Sequence, residues 1–292
     1  MKISIIIPSY NRGYIIGRTI ESVLKQTHQD WECIIADDKS TDNTKEIIEK
    51  YSANDNRIKY VHNTRSKGAQ GARNTGILTS SGDWVVLFDS DNVMHSDFLE
   101  KCSKVLESGT VDVVNTWSNV VDSSTGKIVR HFKWVSNGII YKRLLKGKSY
   151  VDNSSTIIRK SKLMDIKLLS EDCPAFQEWD THIRISRNAR YKTIKECLID
   201  YYTGADDAIS SDKRKDVRGY LYVLSNHRNE WMNVSKFHYI KYLALLKNKI
   251  MLLPDEQKEQ FAVDFKIIEK GFAIPVCAMA FLSRLKNKMV SR

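Results

Sequence analysis

The feature that most constrains this chain is the regular alternation in its first 110 residues. Strand-like runs at Lys2–Pro8, Trp31–Asp37, Arg57–His62 and Trp84–Asp89 are separated by helical patterns near Tyr14–Lys25, Asn43–Tyr51, Gln70–Thr79 and Ser96–Glu107. In the first of these patterns Ile16, Ile20, Val23 and Leu24 recur at helical spacing and predict one buried stripe. Ser40-Thr41-Asp42 supplies an N-cap cluster for the second. Strands that take turns with helices form βαβ units, and hence an α/β fold with a mainly parallel sheet flanked by helices. Ile5-Ile6-Ile7, Ile34-Ile35 and Val85-Val86-Leu87-Phe88 are apolar throughout, as central strands covered on both faces must be. Ligands of such sheets bind beyond the carboxyl ends of the strands. Those ends, Pro8–Asn11, Asp37–Asp42, Asn63–Arg73 and Asp89–Asn92, are all polar.

The order changes after residue 110. Val111–Val121, Lys127–Trp134, Tyr150–Arg159 and Tyr191–Thr203 read as strands, Ser123-Ser124-Thr125-Gly126 as a turn and Phe176–Arg187 as a helix, a mixed extension of the first sheet. From about residue 213 the pattern is helical, with stripes at Tyr220–Trp231, Phe237–Met251 and Gln257–Lys270 and Pro254 as punctuation. The chain is therefore expected in three parts, 1–110, 111–210 and 211–292, with a soft boundary near Gly204–Lys213.

Charge and cysteine content narrow the classes. The formal net charge is +11, yet residues 1–110 hold 14 basic and 15 acidic residues, so the excess belongs to the later two-thirds. That split, with no reading motif, argues against a nucleic-acid partner. Five scattered cysteines without a C-x-x-C spacing argue against a disulfide framework or a zinc site and for a reducing cytosol. Ile3–Pro8 is too short for the core of a secretory signal, and no run reaches the ~18 apolar residues of a membrane span. The glycosylation patterns at Asn153-Ser154-Ser155 and Asn233-Val234-Ser235 therefore carry no weight. Gly13 to Thr19 only loosely imitates a phosphate loop, with Arg18 where a lysine should stand, and no G-x-G-x-x-G follows the first strand.

Among the polar strand ends, Asp89-Ser90-Asp91 carries the most chemistry. Two carboxylates one residue apart at a strand end can hold a divalent cation that bridges to diphosphate oxygens. The plain alternative is a solvated turn cap. Asp37-Asp38 repeats the geometry on another strand, where an acid can accept a hydrogen bond from a base or ribose; helix capping with Asp42 is the competing role. Tyr10 offers an aromatic face for a base. Arg73 can counter diphosphate charge or make an ordinary salt bridge.

The stretches IIIPSYN, SVLKQTHQDWECIIADDKSTDNT, KGAQGARNTGI and GDWVVLFDSDN closely resemble family 2 of the nucleotide-sugar glycosyltransferases, strongly over residues 1–110 and loosely over 111–204. The resemblance implies a GT-A fold, with a nucleotide-binding half at 1–110, an acceptor-side half at 111–210 and a helical region at 211–292. It implies sugar transfer with inversion from a nucleotide sugar, a UDP-sugar being expected, in bacterial surface polysaccharide synthesis. Pro8, Tyr10 and Asn11 then belong to the nucleotide loop, Asp38 reads the base, Asp89 meets the ribose with Ser90 also on the nucleotide, and Asp91 with Asp89 holds Mn²⁺ or Mg²⁺. Arg73 matches the arginine at the entry of its helix. Lys39 departs from the glycine usual in the family.

An inverting enzyme also needs one carboxylate to take the acceptor's proton. The family's acidic pair matches Gln177-Glu178-Trp179-Asp180, with Gln177 replacing one acid, which leaves Glu178 and Asp180 both open and Glu178 at the usual position. Trp179 and Trp117 are candidate acceptor-side residues, with packing roles as the alternative; His131 and Trp134 stand in the same position, and His182 reads as structural. The implied acceptor is a glycan, on a polyprenyl diphosphate carrier or at the surface. The basic apolar segment 272–292 suggests peripheral contact at the inner face of a membrane, or an oligomer contact, for a cytoplasmic enzyme. A sugar-phosphate nucleotidyltransferase and a catalytically idle nucleotide-binding module are the competing functions.

Overall fold

The computed structural model describes residues 1–203 and 213–290, with side chains as far as Phe281. Residues 204–212 of the expected boundary near Gly204–Lys213, and the side chains of Arg284, Lys286, Lys288 and Arg292, lie outside the described residues. The chain divides into two units.

The first unit comprises Met1–Tyr141, Ser149–Glu171 and Thr181–Ala208. Strands β1 (Ile3–Ser9), β2 (Trp31–Asp37), β3 (Ile58–His62) and β4 (Trp84–Leu87) alternate with helices α1 (Ile16–Leu24), α2 (Thr44–Asn54) and α3 (Ala69–Thr79). These strands pair in parallel in the order β3-β2-β1-β4. Every residue of β1 and β2 is buried, which accounts for their unbroken apolar runs. Ile16, Thr19, Ile20 and Val23 form the buried stripe of α1. Helix α3 lies so close to β1 that a Cβ on Gly76 would stand 2.3 Å from Ile6 Cγ2, so only glycine fits there.

Beyond β4 come β5 (Val93–Met94), α4 (Phe98–Leu106), β6 (Val113–Asp122), β7 (Ile128–Phe132), α5 (Tyr141–Leu145), β8 (Thr156–Arg159), α6 (Lys160–Asp165), α7 (Gln177–Ile185) and β9 (Tyr191–Thr203). They extend the sheet as β4-β8-β6-β9-β5, with β7 paired to β6. Among the described residues only the β6–β9 pairing is parallel here; β4–β8, β6–β8, β6–β7 and β5–β9 are antiparallel. The expected strand Tyr150–Arg159 is strand only from Thr156, because the polar side chains of Asn153 and Ser154 turn inward. The two-residue β5 and the short α5 and α6 are below the length at which a period can be read from sequence.

At the amino-terminal rim of the sheet Glu32 is buried yet fully engaged. It accepts from Ser4 Oγ (2.8 Å), Ser81 N (2.6 Å) and Ser81 Oγ (2.9 Å), and pairs with Lys59 Nζ (2.8 Å). Burial alone would raise its pKa, but the Lys59 ammonium and the Ser81 and Ser4 donors bring it down to about 2.

The second unit comprises Lys142–Lys148, Asp172–Asp180 and Ile209–Arg292. Its helices are α8 (Lys213–Asn226), α9 (Arg228–Val234), α10 (Lys236–Met251), α11 (Asp255–Glu269) and α12 (Ala273–Val290). The stripe expected to run through Tyr220–Trp231 is broken at His227, which leaves the helical path (φ −108°, ψ 19°) with its ring buried. Ring centroids of Phe176, Tyr220, Trp231 and Tyr242 lie 5.0 to 6.4 Å from that of Trp179, an aromatic core for this unit. Pro275 is the third residue of α12, in the first turn, where a missing N–H costs no intrahelical bond. Ile274 and Phe281 on that helix are exposed. Among the described residues no helix is long and apolar enough to cross a membrane.

Candidate functional site

The first unit's parallel strands deliver their polar ends to the carboxyl rim of the sheet. At the end of β2, Asp37 serves the backbone: Ser40 Oγ and N donate to its carboxylate at 2.5 and 3.1 Å, and Tyr60 Oη donates at 3.0 Å. The turn locked in this way holds Lys39 at φ +65°. Asn11, also left-handed at φ +50°, is tied to the same turn, its N–H donating to Ser40 Oγ and its Oδ1 accepting from Thr41 N, both at 2.8 Å. Pro8 is buried within β1, opposite Ala36.

Asp38 is buried and takes different partners. Asn63 Nδ2 donates to its Oδ1 and Gly68 N to its Oδ2, each at 2.7 Å. Gly68 stands at φ +117°, a conformation closed to most side chains, just ahead of α3. Asp38, Tyr10, Lys39, Thr41, Arg65 and Lys67 line a cleft of about 260 Å³. Tyr10 is 45% exposed, with Lys67 Nζ 5.5 Å from its ring centroid.

The Asn63–Gly68 loop is held from behind by Glu171. This carboxylate pairs with Arg65 and accepts from Ser66 Oγ (2.5 Å), Ser66 N (3.2 Å) and Asn74 Nδ2 (2.7 Å). Burial would push its pKa up, but the Asn74, Ser66 and Arg65 donors pull it from the ordinary 4.5 to about 2. A depressed folded-state pKa contributes stability that is complete above the ordinary value and fades as pH falls toward the folded one. Between about pH 5 and pH 3 the unfolding midpoint should therefore drop more steeply in the parent than in Glu171→Gln. Equal slopes would remove Glu171 from this role.

After β4, Asp89 is anchored on both oxygens. Arg73 Nη2 reaches Oδ1 at 2.5 Å, and the Ser154 hydroxyl donates to Oδ2 at 3.1 Å. Arg73 also donates to Gln70 Oε1 at 2.7 Å and is only 6% exposed, so it holds Asp89 in place from within the unit. Ser154 further accepts from Asp89 N and Asn92 Nδ2. Ser90 is buried, its carbonyl accepting from Thr19 Oγ1 at 2.9 Å. Asp91 is half-buried, and its carbonyl accepts from Arg18 Nη2 at 2.8 Å. Among the buried atoms on these elements without a hydrogen-bond partner in the described residues are Ser9 Oγ and Gln70 Nε2.

Trp117 is partly buried beside β7, its Nε1 donating to the Trp134 carbonyl at 3.2 Å. His131 hydrogen-bonds to Asn119 Oδ1 at 2.9 Å. His182 is fully buried against Tyr191 Oη (3.0 Å), and burial depresses its pKa to about 3, which keeps it neutral.

In the second unit the two acids of α7 differ. Asp180 is 2% exposed and its Oδ1 lies 2.8 Å from the buried His227 Nε2. Glu178 is half-buried. Trp179 between them lies in the aromatic core.

Ser154, Glu171 and His227 escape sequence reading because each meets its partner across 47 to 105 residues with no local pattern. Ser154 falls inside the dismissed glycosylation pattern, although its buried hydroxyl serves Asp89. The polarity of Asn63–Arg73 did mark the segment that carries Asn63, Arg65 and Lys67.

Among the described residues no three His, Cys, Asp or Glu side chains gather to hold a metal by themselves. Asp89 and Asp91 nevertheless carry the hard oxygen donors that Mg²⁺ and Mn²⁺ take, and such ions are commonly held by one or two carboxylates together with substrate phosphates. The donor set thus fits an ion completed by a diphosphate.

Comparison with known proteins bears on this rim. The Escherichia coli enzyme WfgD, a UDP-Glc:α-D-GlcNAc-diphosphoundecaprenol β-1,3-glucosyltransferase, is 38% identical over 151 residues, 49% of this chain and 55% of its own length. The chain thus spans about half the length of this relative. Staphylococcus aureus TarS 1–349 in complex with UDP-GlcNAc superposes with a TM-score of 0.72 at 19% identity, over 96% of this chain and 84% of the other. The mannosyltransferase PcManGT of Pyrobaculum calidifontis, in complex with GDP-Man and Mn²⁺, superposes with a TM-score of 0.59 at 15% identity, over 96% of this chain and 83% of that one. These likenesses establish the GT-A fold. The family model for glycosyl transferase family 2 matches residues 4–167, more than half of the chain and the whole of the Asp38–Asp89–Asp91 rim. The chain therefore belongs to glycosyltransferase family 2.

Proposed function

We propose that this glycosyltransferase moves a sugar, with inversion, from a UDP-sugar to a hydroxyl of a lipid-linked or surface glycan. The observation that carries the reading is the anchored acid pattern at the carboxyl rim: Asp38 on Asn63 and Gly68 beside the Tyr10 cleft, and Asp89 clamped between Arg73 and Ser154. Carboxylates fixed by protein donors cost no reorganisation when a ligand binds. Asp38 accepts from the base and Asp89 from the ribose, while Ser9 Oγ and Gln70 Nε2 remain as polar atoms that a ligand can satisfy. The lipid-linked acceptor rests on the substrate printed in WfgD's name.

Mn²⁺ or Mg²⁺ is assigned to Asp91 with Asp89 beside it, each Asp89 oxygen keeping acceptor capacity beyond the single donor it takes from Arg73 or Ser154. Bound there, the ion would supply charge stabilisation for the departing diphosphate. Glu178 is the general base: it takes the acceptor's proton as the hydroxyl oxygen attacks the anomeric carbon and the bond to UDP breaks. Asp180, buried on His227, is left a positioning role for α7. The first test is a thermal-shift panel of nucleotide sugars with and without Mn²⁺. UDP-sugars at about a hundredfold their Kd should stabilise the fold by about 2.7 kcal/mol, more with Mn²⁺ than with EDTA. A flat response to every nucleotide would defeat the reading.

A further inference from the structure

Lys39 occupies a backbone position that glycine would fill without strain. At φ +65° a lysine crowds its own Cβ against the backbone, and such conformations persist where the surroundings impose them or the side chain is put to use. The Asp37–Ser40–Tyr60 bonds impose the turn. They do not call for a lysine. Its side chain is exposed and lines the same cleft as Asp38, Arg65 and Lys67. Arg65 is paired with Glu171, whereas Lys39 and Lys67 make no ion pair among the described residues. The cleft thus presents one buried carboxylate, each oxygen already holding one protein donor, bordered by two ammonium groups that have no carboxylate partner among the described residues.

That arrangement is a chemical filter for one nucleobase edge. Uracil presents carbonyl, N–H, carbonyl: an acceptor on each side of a donor. Cytosine replaces one carbonyl by an amino donor and the central N–H by a bare acceptor nitrogen, which would face the Asp38 carboxylate. An ammonium group offers donors only and a carboxylate acceptors only. We infer that Lys39 and Lys67 are specificity-determining residues that select a uracil base by donating to its carbonyl oxygens while Asp38 accepts its N–H. This inference rests on the nucleotide reading of the rim above, and it turns on Lys39, which replaces the glycine usual in the family.

Titration of the full chain with UDP and with CDP, both with Mn²⁺, tests it. The parent should prefer UDP. Lys39→Gly should weaken UDP about tenfold and CDP little, so that the preference collapses, while relief of the left-handed strain holds or raises Tm. Lys67→Gln should lower the preference in the same direction. Equal losses for both nucleotides would mean that the ammonium groups meet phosphate, and would overturn the inference, as would an unchanged preference in both variants. If the parent binds neither nucleotide, the reading of the rim itself has failed; if Asp38→Asn abolishes UDP binding while both lysine variants keep the preference, only the lysine assignment has.

Discussion

Glu178→Gln is expected to slow sugar transfer at least a hundredfold while UDP affinity stays within about twofold of the parent, because a positioned base contributes about 10²- to 10⁴-fold and takes no part in holding the nucleotide. The neighbouring acid should fail differently. Asp180 is buried against His227 Nε2 at 2.8 Å, so Asp180→Asn exchanges a charged acceptor for a neutral one inside the second unit. Its signature is lost stability, about 2 kcal/mol, seen as a lower unfolding midpoint with most of the turnover retained per folded molecule. Turnover and melting measured side by side separate the two acids. A stable Asp180→Asn protein without transfer, beside an active Glu178→Gln protein, would reverse their roles.

The second large effect is expected at Arg73. Its guanidinium is 6% exposed and sits 2.5 Å from Asp89, itself 25% exposed. Removing one partner of such a pair leaves an uncompensated charge, at a cost of about 3–5 kcal/mol when both are fully buried. Asp89 retains some solvent, which places Arg73→Met near 3 kcal/mol, the lower end. On the reading proposed for the rim UDP affinity should fall with it, since the carboxylate assigned to the ribose loses its anchor. The double variant Arg73→Met/Asp89→Asn should recover part of the stability and none of the affinity. Should Arg73→Met unfold at the parent's denaturant concentration, the clamp would be ornamental.

Much of the first unit was legible because its information is local. The continuous apolar runs of β1 and β2 and the stripe of α1 follow from burial on two faces or on one. The acids at the strand ends then stand together at the carboxyl rim that parallel topology creates. What escaped depends on the chain returning from far away. Ser154 reaches Asp89 across 65 residues and Glu171 reaches Asn74 across 97, and neither leaves a period or spacing to read. The antiparallel course of β8 was equally hidden, since a four-residue strand has the same pattern in either direction. Polarity flagged the Asn63–Arg73 loop, but the division of labour between Asp37, which fastens the turn, and Asp38, which faces the cleft, needed coordinates.

Glu32 closes the opposite end of the same sheet. Four hydrogen bonds from Ser4, Ser81 and Lys59 stitch three strands to the loop ahead of a fourth, far along the strands from the tips that carry Asp38 and Asp89. A seam of that kind lets evolution trade the tips like interchangeable bits on one handle. Loops such as those of Lys39 and Lys67 can be rewritten while the grip that keeps the strands in step stays untouched.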